Sequence, residues 1–196
     1  MTTDHLVPVD IADLYEVHEW RNAVGVLQTA CCAEWADIQN ALRTFRLLRS
    51  EVLTAGGSRS SIVARLEQPL KDAGWKETQF QTAIVVDGDQ RDSPTHSVDC
   101  FKGRVALEVE WNNKDPFYDR DLNNFRLLFD LQVIDVGVII TRCSELQAIF
   151  KKLGRGPSFG NSTTHMGKLL PRLHGGSGGG CPIVVFGISD KLYVED

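Results

Sequence analysis

The sequence has no apolar run of the roughly 18 residues that a membrane-spanning helix needs, and no Cys-x-x-Cys pair. Its five cysteines are odd in number, so neither a disulfide framework nor a structural zinc site is expected. The acidic start lacks the basic and apolar segments of a signal peptide. These absences predict a protein of the reducing cytoplasm that makes no contact with membranes.

No strong excess of charge of one sign is present either, since the net charge is −5. That value argues against a general nucleic-acid coat protein, which would be basic. Hydrophobic residues make up 42% of the chain and charged residues 24%, as in an ordinary globular protein. A chain of 196 residues is long enough to bury a full core within one domain.

The charges are unevenly distributed along the chain. Residues 1–40 contain seven acidic residues and one basic residue, whereas residues 142–174 contain six basic residues and one acidic residue. A local charge of +5 predicts an anion-binding surface, although a solvated surface paired with the acidic amino-terminal part is an alternative. The six basic residues are Arg142, Lys151, Lys152, Arg155, Lys168 and Arg172.

Apolar periodicity and turn residues predict an α/β fold, a mixed β-sheet with one helical flank. Predicted strands cover about residues 75–86, a hairpin over 97–111, a buried central strand over 133–141, and a last strand over 181–188. Helices are predicted over about residues 11–23, over about 31–53, from Ser60 or Ser61 to Ala73, and over 166–173. Another is predicted to begin after Asp115-Pro116, and a further one to begin at a capping box formed by Ser144 and Gln147. Pro69 should kink or divide the third helix, and the glycine run 175–180 is either a flexible connection or an arm.

The predicted hairpin places carboxylates among apolar residues. Residues along its second strand alternate between two faces. One face should carry Val105, Leu107, Val109 and Trp111, and the other should carry Ala106, Glu108 and Glu110. If Lys102-Gly103 forms the turn, Asp99 faces Ala106 and lies diagonal to Glu108.

Three converging carboxylates are suited to Mg²⁺. Such an ion can lower the pKa of a bound water and neutralise charge on a scissile phosphate. An exposed polar face of the hairpin is the alternative. A glycosidase with two carboxylates is a weaker competitor, because both glutamates lie on one strand.

Eight residues separate Asp99 from Glu108, and one residue separates Glu108 from Glu110. This spacing resembles the Asp…(Asp/Glu)-x-Lys motif of the PD-(D/E)XK nuclease superfamily. Glu110 stands where lysine is usual, a departure shared by BglII-like and BamHI-like type II restriction endonucleases. The similarity to the BglII and BstYI group spreads over residues 73–189. It is carried by "AGWKETQFQTAIVV", "DCFKGRVALEVEWNNKDPFYDRDLNNFRLLF", "IDVGVIIT" and "PIVVFGIS", in order and at similar spacing.

The resemblance implies a PD-(D/E)XK fold in which Asp99 and Glu108 bind Mg²⁺, with Mn²⁺ as a substitute. The backbone carbonyl of Val109 would complete the metal shell, and Glu110 would act at the attacking water or in that shell. Many relatives add one further polar or acidic residue from an upstream element. The candidates for it here are Asp87, Asp89 and Glu67.

The resemblance places base recognition in the segment after the motif and in the loop "GRGPSFGNS". Asn113 and Arg155 are the strongest candidates, because asparagine pairs with adenine and arginine with guanine in the major groove. Further candidates for base contacts are Asn112, Lys114, Ser158, Asn161 and Ser162, of which the last three have turn formation as an alternative role. Candidates for phosphate contacts are Lys151, Lys152, Lys168 and Arg172.

The sequence therefore predicts a type II restriction endonuclease, acting as a homodimer on duplex DNA with a palindromic site. The resemblance implies hydrolysis of both strands, 5′-phosphates, four-base 5′ overhangs and a partner DNA methyltransferase, with a GATC-centred site as the first expectation. We expect one domain over 1–196, with a mainly helical subregion over 1–73 and the catalytic sheet and recognition loops over 74–196. The alternatives are a repair or structure-specific PD-(D/E)XK nuclease and a DNA-binding module without catalysis.

Overall fold

The computed structural model describes residues 6–54 and 60–196. The helices of these residues are α1 (Val9–Ala12), α2 (Ala23–Ala30), α3 (Cys32–Thr44), α4 (Arg49–Leu53), α5 (Ser61–Asp72), α6 (Phe117–Asp130), α7 (Leu146–Lys152) and α8 (Met166–His174). Two short 3₁₀ turns cover Gly156–Phe159 and Asp190–Leu192. Among the described helices, none is long and apolar enough to cross a membrane.

Six strands form one mixed sheet in the order β1-β9-β8-β7-β6-β3. The central strands β7, β8 and β9 run parallel, whereas β1, β6 and β3 each pair antiparallel with their inner neighbour. The strands are β1 (Tyr15–Trp20), β2 (Leu47–Leu48), β3 (Lys76–Thr78), β4 (Ala83–Val86), β5 (Asp89–Asp92), β6 (Val98–Lys102), β7 (Val105–Glu110), β8 (Val136–Arg142), β9 (Ile183–Ile188) and β10 (Tyr193–Val194). The expectation of a mixed α/β sheet is confirmed.

The nearly continuous apolar run at residues 133–141 forms the central strand β8, as predicted. Every residue of β8 is buried, and parallel neighbours flank it on both edges. Parallel neighbours require crossover connections, which the helices after β7 and β8 provide. The sequence therefore indicated the middle of the sheet correctly.

Helices cover both faces of the sheet rather than one, which corrects the expected single helical flank. Side chains of α2, α3, α5 and α7 pack on one face together with Leu107 and Val138. Side chains of α6 and α8 pack on the other face together with Ala106 and Ile139. The crossover helices α6 and α8 cover the second face, whereas α7 of the β8–β9 crossover packs with the amino-terminal helices.

The helix expected over residues 11–23 is wrong in its central part. Residues Tyr15–Trp20 form β1, which pairs antiparallel with β9 along the sheet edge. Its first four residues, "YEVH", alternate apolar and polar, as a half-buried strand does. The amino-terminal region is therefore not purely helical, because it supplies an edge strand to the sheet.

Two other long predicted elements are divided in the structure. The helix expected over about residues 31–53 ends at Thr44 and is followed by the short strand β2 and by α4. The strand expected over residues 75–86 becomes β3 and β4, which belong to different sheets. Between them the Thr95 N–H donates to the Phe80 carbonyl and the Phe80 N–H donates to Thr95 Oγ1, so Phe80 pairs with Thr95 before β4 begins.

The predicted ends of α5 are confirmed, but its predicted interruption is not. The Ser60 hydroxyl accepts a hydrogen bond from the Ile62 N–H, and Gly74 follows the helix with a φ of 92°. Pro69 lies inside a continuous helix. The predicted capping box of α7 is also absent, since the Ser144 hydroxyl bonds to His165 Nδ1 instead.

The glycine run 175–180 is a packed connection, which corrects the expectation of flexibility. The Gly179 carbonyl accepts hydrogen bonds from Trp20 Nε1 at 3.3 Å and Arg21 Nε at 3.1 Å. Gly179 has a φ of 59°, and a Cβ atom there would lie 2.7 Å from Cγ of Arg126. Glycine is therefore required for close approach of this backbone to α6.

Candidate active site

The β6–β7 hairpin carries the predicted acidic residues, with a register that differs from the predicted one. Phe101 pairs with Ala106 and Lys102 with Val105, so the turn is Gly103-Arg104 rather than Lys102-Gly103. The difference is two residues, and a shift of two leaves every side chain on its predicted face. If the observed register is extended, Asp99 lies opposite Glu108.

The two strands stop pairing at this pair of carboxylates. The Asp99 N–H donates to Glu108 Oε2 at 3.2 Å, and the Val109 N–H donates to Asp99 Oδ2 at 3.0 Å. Side-chain oxygens thus satisfy backbone donors that the carbonyls of a continued ladder would otherwise satisfy. The strands part here, and the end of β7 opens toward Asp99.

The two faces of β7 differ as the alternation predicted. Val105, Leu107, Val109 and Trp111 join the core under α3 and α5. Glu108 and Glu110 face the other way and are only 0% and 1% exposed. The acidic face is therefore buried, which excludes the alternative of a solvated polar face.

A further buried carboxylate, which the sequence reasoning missed, lies on α6. Asp121 is 0% exposed, and its Oδ1 accepts from Arg120 Nε at 2.8 Å. Nη2 of the same guanidinium lies 3.4 Å from Glu110 Oε1, so Arg120 bridges the two carboxylates. Glu110 Oε2 accepts from Asn113 Nδ2 at 2.9 Å.

The signal for Asp121 was present in the helical periodicity. Tyr118, Leu122, Phe125 and Leu128 form the buried face of α6 at spacings of three and four residues. Asp121 lies within this stripe, where an acidic residue is out of place. An acidic residue in an apolar helical stripe is thus a useful indicator of a site.

Burial dominates the electrostatics of these carboxylates. Burial raises the pKa of Glu108 well above its usual value, and the charges of Asp121 and Asp99 add to this effect. Burial and the charge of Asp121 raise the pKa of Glu110 to about 9. The pKa of Asp121 rises to about 6 because of burial, although Arg120 opposes the rise. If all three groups were ionised, their negative charge would exceed the one positive charge of Arg120 that contacts Glu110 and Asp121.

The donor set fits a hard divalent cation. Glu108 Oε1 and Asp121 Oδ2 are buried, and neither has a hydrogen-bond partner among the described residues. Carboxylate oxygens are the ligands that Mg²⁺ prefers, together with water and phosphate. The hairpin and α6 therefore each provide one unpartnered carboxylate oxygen of the right type.

Another group of possible ligands lies elsewhere, in Glu16, Cys143 and Glu145. One ligand atom from each of these residues lies within 4.8 Å of the others. In the described part of the chain, no three of the β6–β7 and α6 carboxylates approach one another this closely. Burial raises the pKa of the Cys143 thiol, and a metal ligand must be a thiolate. Mg²⁺ disfavours sulfur, so this group is a poor match for the expected ion.

A cleft of about 490 Å³ lies beside the open hairpin end. Six of the predicted site residues line it: Asp99, Val109, Asn112, Asn113, Arg155 and Ser158. Of the three upstream candidates, Glu67 lines this cleft and is 1% exposed. Asp87 and Asp89 lie instead in the exposed β4–β5 hairpin. The geometry therefore favours Glu67 as the additional acidic residue.

Asn112 and Arg155 present unsatisfied polar atoms at the cleft. Asn112 Oδ1 and Arg155 Nε are buried atoms without a hydrogen-bond partner among the described residues. Asn112 also adopts a φ of 59°, a backbone conformation that residues other than glycine rarely adopt. The amide of Asn113, in contrast, is engaged by Glu110. Asn112 is thus better placed than Asn113 to contact a ligand.

The remaining predicted DNA-contact residues do not line the cleft. Lys114 and Ser162 lie where the segment after β7 pairs with the loop before α8, and Asn161 is exposed in that loop. Lys151 and Lys152 are exposed at the end of α7.

The basic segment 142–174 is not one continuous surface. Arg142 is 1% exposed and donates to Thr163 Oγ1 at 3.0 Å. Arg172 Nε donates to Asp119 Oδ1 at 2.8 Å, and Lys168 Nζ lies 3.6 Å from an oxygen of Asp115. These bases therefore pair with acids at the start of α6 rather than with the amino-terminal part.

Comparison with known proteins agrees with this geometry. No curated protein matches the chain. A family model described as restriction endonuclease BglII/BglIII matches residues 15–188, which include β6, β7, α6 and the residues that line the cleft. The match covers most of the 196 residues, and the chain therefore belongs to the BglII/BglIII restriction endonuclease family and is a nuclease.

Proposed function

We propose that this nuclease is a type II restriction endonuclease of the PD-(D/E)XK kind, which cuts both strands of a palindromic DNA site with Mg²⁺. The observation that carries the proposal is the open end of the β6–β7 hairpin. There the Asp99 and Glu108 carboxylates replace ladder acceptors, and Glu108 Oε1 is left without a partner among the described residues. Membership of the BglII/BglIII family supports DNA as the substrate.

Asp99 and Glu108 would hold the metal. The Val109 N–H orients the Asp99 carboxylate, and the Val109 carbonyl projects toward the same gap because both groups of a strand residue point to one neighbour. When bound, Mg²⁺ supplies a water of lowered pKa and neutralises charge on the scissile phosphate. Glu67, on the wall of the cleft, would add a further acidic group.

Glu110 would orient the attacking water. Asn113 fixes one of its oxygens, Arg120 lies beside the other, and Thr141 Oγ1 donates to its backbone carbonyl at 2.9 Å. The water oxygen would attack phosphorus and lose one proton to bulk water, the bond from phosphorus to the 3′ oxygen would break, and the 3′ oxygen would take up one proton from bulk water. This step leaves the 5′-phosphate that the proposal requires.

Asn112 and Arg155 would read bases, because both line the cleft and carry buried polar atoms without partners among the described residues. Asparagine and arginine suit adenine and guanine edges in the major groove. Ser158 lies beside them on the cleft wall. Lys151 and Lys152 would contact phosphates, whereas Lys168 and Arg172 would have to exchange their aspartate partners for phosphate.

The enzyme would act as a homodimer, because a two-fold symmetric site in DNA matches two copies of one chain. Each copy would cut one strand, leaving four-base 5′ overhangs. A methyltransferase that modifies the same site would protect the host DNA without binding this protein. Repair or structure-specific cleavage, and DNA binding without catalysis, are the competing functions.

Digestion of unmethylated phage DNA with the purified full-length protein tests the proposal. We expect discrete fragments with Mg²⁺ and intact DNA with EDTA or with Glu108→Gln. Sequencing of the fragment ends gives the site and the stagger. Smeared or junction-dependent products would favour a repair or structure-specific nuclease, and intact DNA under all Mg²⁺ and Mn²⁺ conditions would contradict catalysis.

A further inference from the structure

The loop between α7 and α8, residues 153–165, is tied to the segment that follows β7, residues 111–116. The Thr164 N–H donates to the Asn113 carbonyl at 2.8 Å, and the Asn113 N–H donates to Thr164 Oγ1 at 3.1 Å. This reciprocal pair joins two parts of the chain that lie 51 residues apart in the sequence.

Each of these two parts carries residues of the proposed machinery. Arg155 and Ser158, in the loop, line the cleft. On the other side, Asn113 Nδ2 donates to Glu110 Oε2 at 2.9 Å. Thr164 is therefore bonded directly to the residue that fixes one carboxylate oxygen of Glu110.

We propose that Thr164 is a positioning residue that couples the base-reading loop to Glu110 through Asn113. The correct bases would hold Arg155 in place, and the loop would then hold Asn113 and the Glu110 carboxylate in the orientation that the attacking water needs. Thr164 itself does not line the cleft, so its effect would pass through Asn113. The inference deepens the proposed function and rests on it.

Burial makes the contact of Thr164 hard to replace. Thr164 is 0% exposed, so water cannot take the place of its hydroxyl as the acceptor for the Asn113 N–H. Removal of one partner of a buried hydrogen bond leaves the other unsatisfied, which costs more than the bond itself contributes.

The loop is also anchored beside Thr164, so that it can transmit a displacement. Arg142, the last residue of β8, is 1% exposed, and its Nη2 donates to the Phe159 carbonyl at 3.2 Å and to Thr163 Oγ1 at 3.0 Å. The Phe159 ring stacks on Phe150 with 4.1 Å between the ring centroids. A loop held in this way moves together with its end at Thr164 instead of bending freely.

Thr164→Val tests the proposal, because valine keeps the branched shape and removes the hydroxyl. With the purified full-length protein in excess over its DNA site, we expect the Mg²⁺-dependent cleavage rate to fall about tenfold, as loss of one buried hydrogen bond predicts. The Kd for the same duplex, measured by fluorescence anisotropy with Ca²⁺, should stay within about threefold, since no cleft residue is changed. Thr164→Ser keeps the hydroxyl and should keep the rate within about twofold.

Thr95→Val is the matched control. Thr95 is 5% exposed, its Oγ1 accepts from the Phe80 N–H at 2.9 Å, and it does not line the cleft. Urea unfolding should show similar losses of stability in Thr95→Val and Thr164→Val, whereas only Thr164→Val should lose its cleavage rate. A merely structural role for Thr164 predicts no such difference in rate.

DNA with one changed base pair in the site reports the coupling to base reading. A wrong base does not hold the loop, so loss of the Thr164 hydroxyl should slow cleavage of this DNA by less than about twofold. The ratio of the two cleavage rates should therefore fall at least about fivefold in Thr164→Val. A role in stability alone predicts equal slowing on both duplexes.

Asn113→Ala removes the amide that bonds to Glu110 but keeps the backbone N–H that bonds to Thr164. It should also slow the correct site more than the altered site, and this keeps the proposal testable if Thr164→Val does not fold. In the Asn113→Ala background, Thr164→Val should slow cleavage by less than about a further twofold, because the two residues act in series.

The outcomes separate this inference from the proposed function. An unchanged rate in Thr164→Val, equal slowing of the correct and altered sites, or additive losses in the double variant would each overturn the coupling. If the wild type still gives discrete fragments, the proposed function stands without it. If the wild type cuts no DNA, both are wrong.

Discussion

The β4–β5 and β6–β7 hairpins follow one another in the chain and contain similar residue types, but their environments are opposite. In β4–β5, the apolar Ile84, Val85 and Val86 are 56% to 64% exposed, and the acidic residues are exposed as well. In β6–β7, Glu108 is 0% exposed and Glu110 is 1% exposed. One hairpin therefore leaves its carboxylates in water, and the other removes them from it.

This difference indicates which carboxylates have a chemical role. A carboxylate in water costs the fold nothing, whereas a buried one costs several kcal/mol unless it is paired or binds a metal. The β6–β7 site lacks enough protein cations to offset that cost. Buried acidic groups with strongly shifted pKa values occur preferentially at functional sites.

Exchange of one carboxylate for an amide in each hairpin gives the largest expected contrast. Glu108→Gln should reduce DNA cleavage by about a thousandfold or more, because a lost metal ligand removes several kcal/mol of transition-state stabilisation. Asp89→Asn should cleave DNA within about twofold of the wild type, since an exposed carboxylate far from the cleft makes no such contribution. Fragment yield over time, measured on one DNA substrate, compares the two. Equal losses in both variants would contradict the assignment.

Divalent cations should stabilise the protein through one hairpin only. At about 100 times its dissociation constant, Ca²⁺ or Mg²⁺ contributes about 2.7 kcal/mol, which raises Tm by about 5–10 °C in a chain of this size. Asp89→Asn should keep this shift and Glu108→Gln should lose most of it. Thermal melting with and without EDTA measures both. A full shift in Glu108→Gln would place the ion elsewhere, for example at Glu16, Cys143 and Glu145.

Without metal, stability should fall as the pH rises from about 5 to about 8. The folded pKa values of Glu110, about 9, and Asp121, about 6, lie above the ordinary values of 4.5 and 3.8. A carboxyl group of this kind binds its proton more tightly when folded, so stability is lost as the pH rises from the unfolded to the folded pKa.

Urea unfolding in EDTA at several pH values measures this loss. Asp121→Asn should flatten the curve of unfolding free energy against pH between about pH 4 and pH 6, whereas the curve of Asp89→Asn should match that of the wild type. Carboxylates with a lowered pKa, such as Asp10, lose their contribution to stability only when the pH falls below their ordinary pKa of 3.8, so they do not affect the measurement above that pH. Stability that increases toward pH 8 would show that the buried groups are not the ones that titrate.

The turns of the two hairpins provide the smallest contrast. Gly103 and Gly88 have φ values of 55° and 91°, so alanine is strained at both. Gly103→Ala should lower the free energy of unfolding by about 1–2 kcal/mol, because the strained turn joins two strands of the six-stranded sheet and the Glu34 carboxylate must also move aside. Gly88→Ala should cost less than about 0.5 kcal/mol globally, since β4–β5 is a separate two-stranded sheet that can unfold locally. Urea unfolding of both variants checks the order, and a larger loss in Gly88→Ala would reverse it.

Much of the site followed from local sequence patterns. The alternation along β7 placed Glu108 and Glu110 on one face and Val109 on the other, as the structure confirms. The apolar run at 133–141 gave the central strand, and Ser60 and Gly74 gave the ends of α5. These features depend on periods of two or 3.6 residues and on capping chemistry, which neighbouring residues determine.

Other parts required the tertiary structure. The hairpin register was wrong by two residues, because several turns fit the sequence around Gly103. The Asn113 amide donates a hydrogen bond to Glu110 and is not free to contact a ligand in the cleft. Lys168 and Arg172 form ion pairs with aspartates at the start of α6. None of these contacts leaves a local pattern.

The sequence by itself determined that carboxylates would be gathered on one face of a hairpin anchored by apolar residues. Only the tertiary structure decided that α6 covers that face and brings Asp121 and Arg120 to Glu110. It also decided that Glu67, and not Asp87 or Asp89, reaches the cleft. The physical reason is that periodicity reports which side of an element is apolar, whereas the partner of that side is chosen by packing among distant segments.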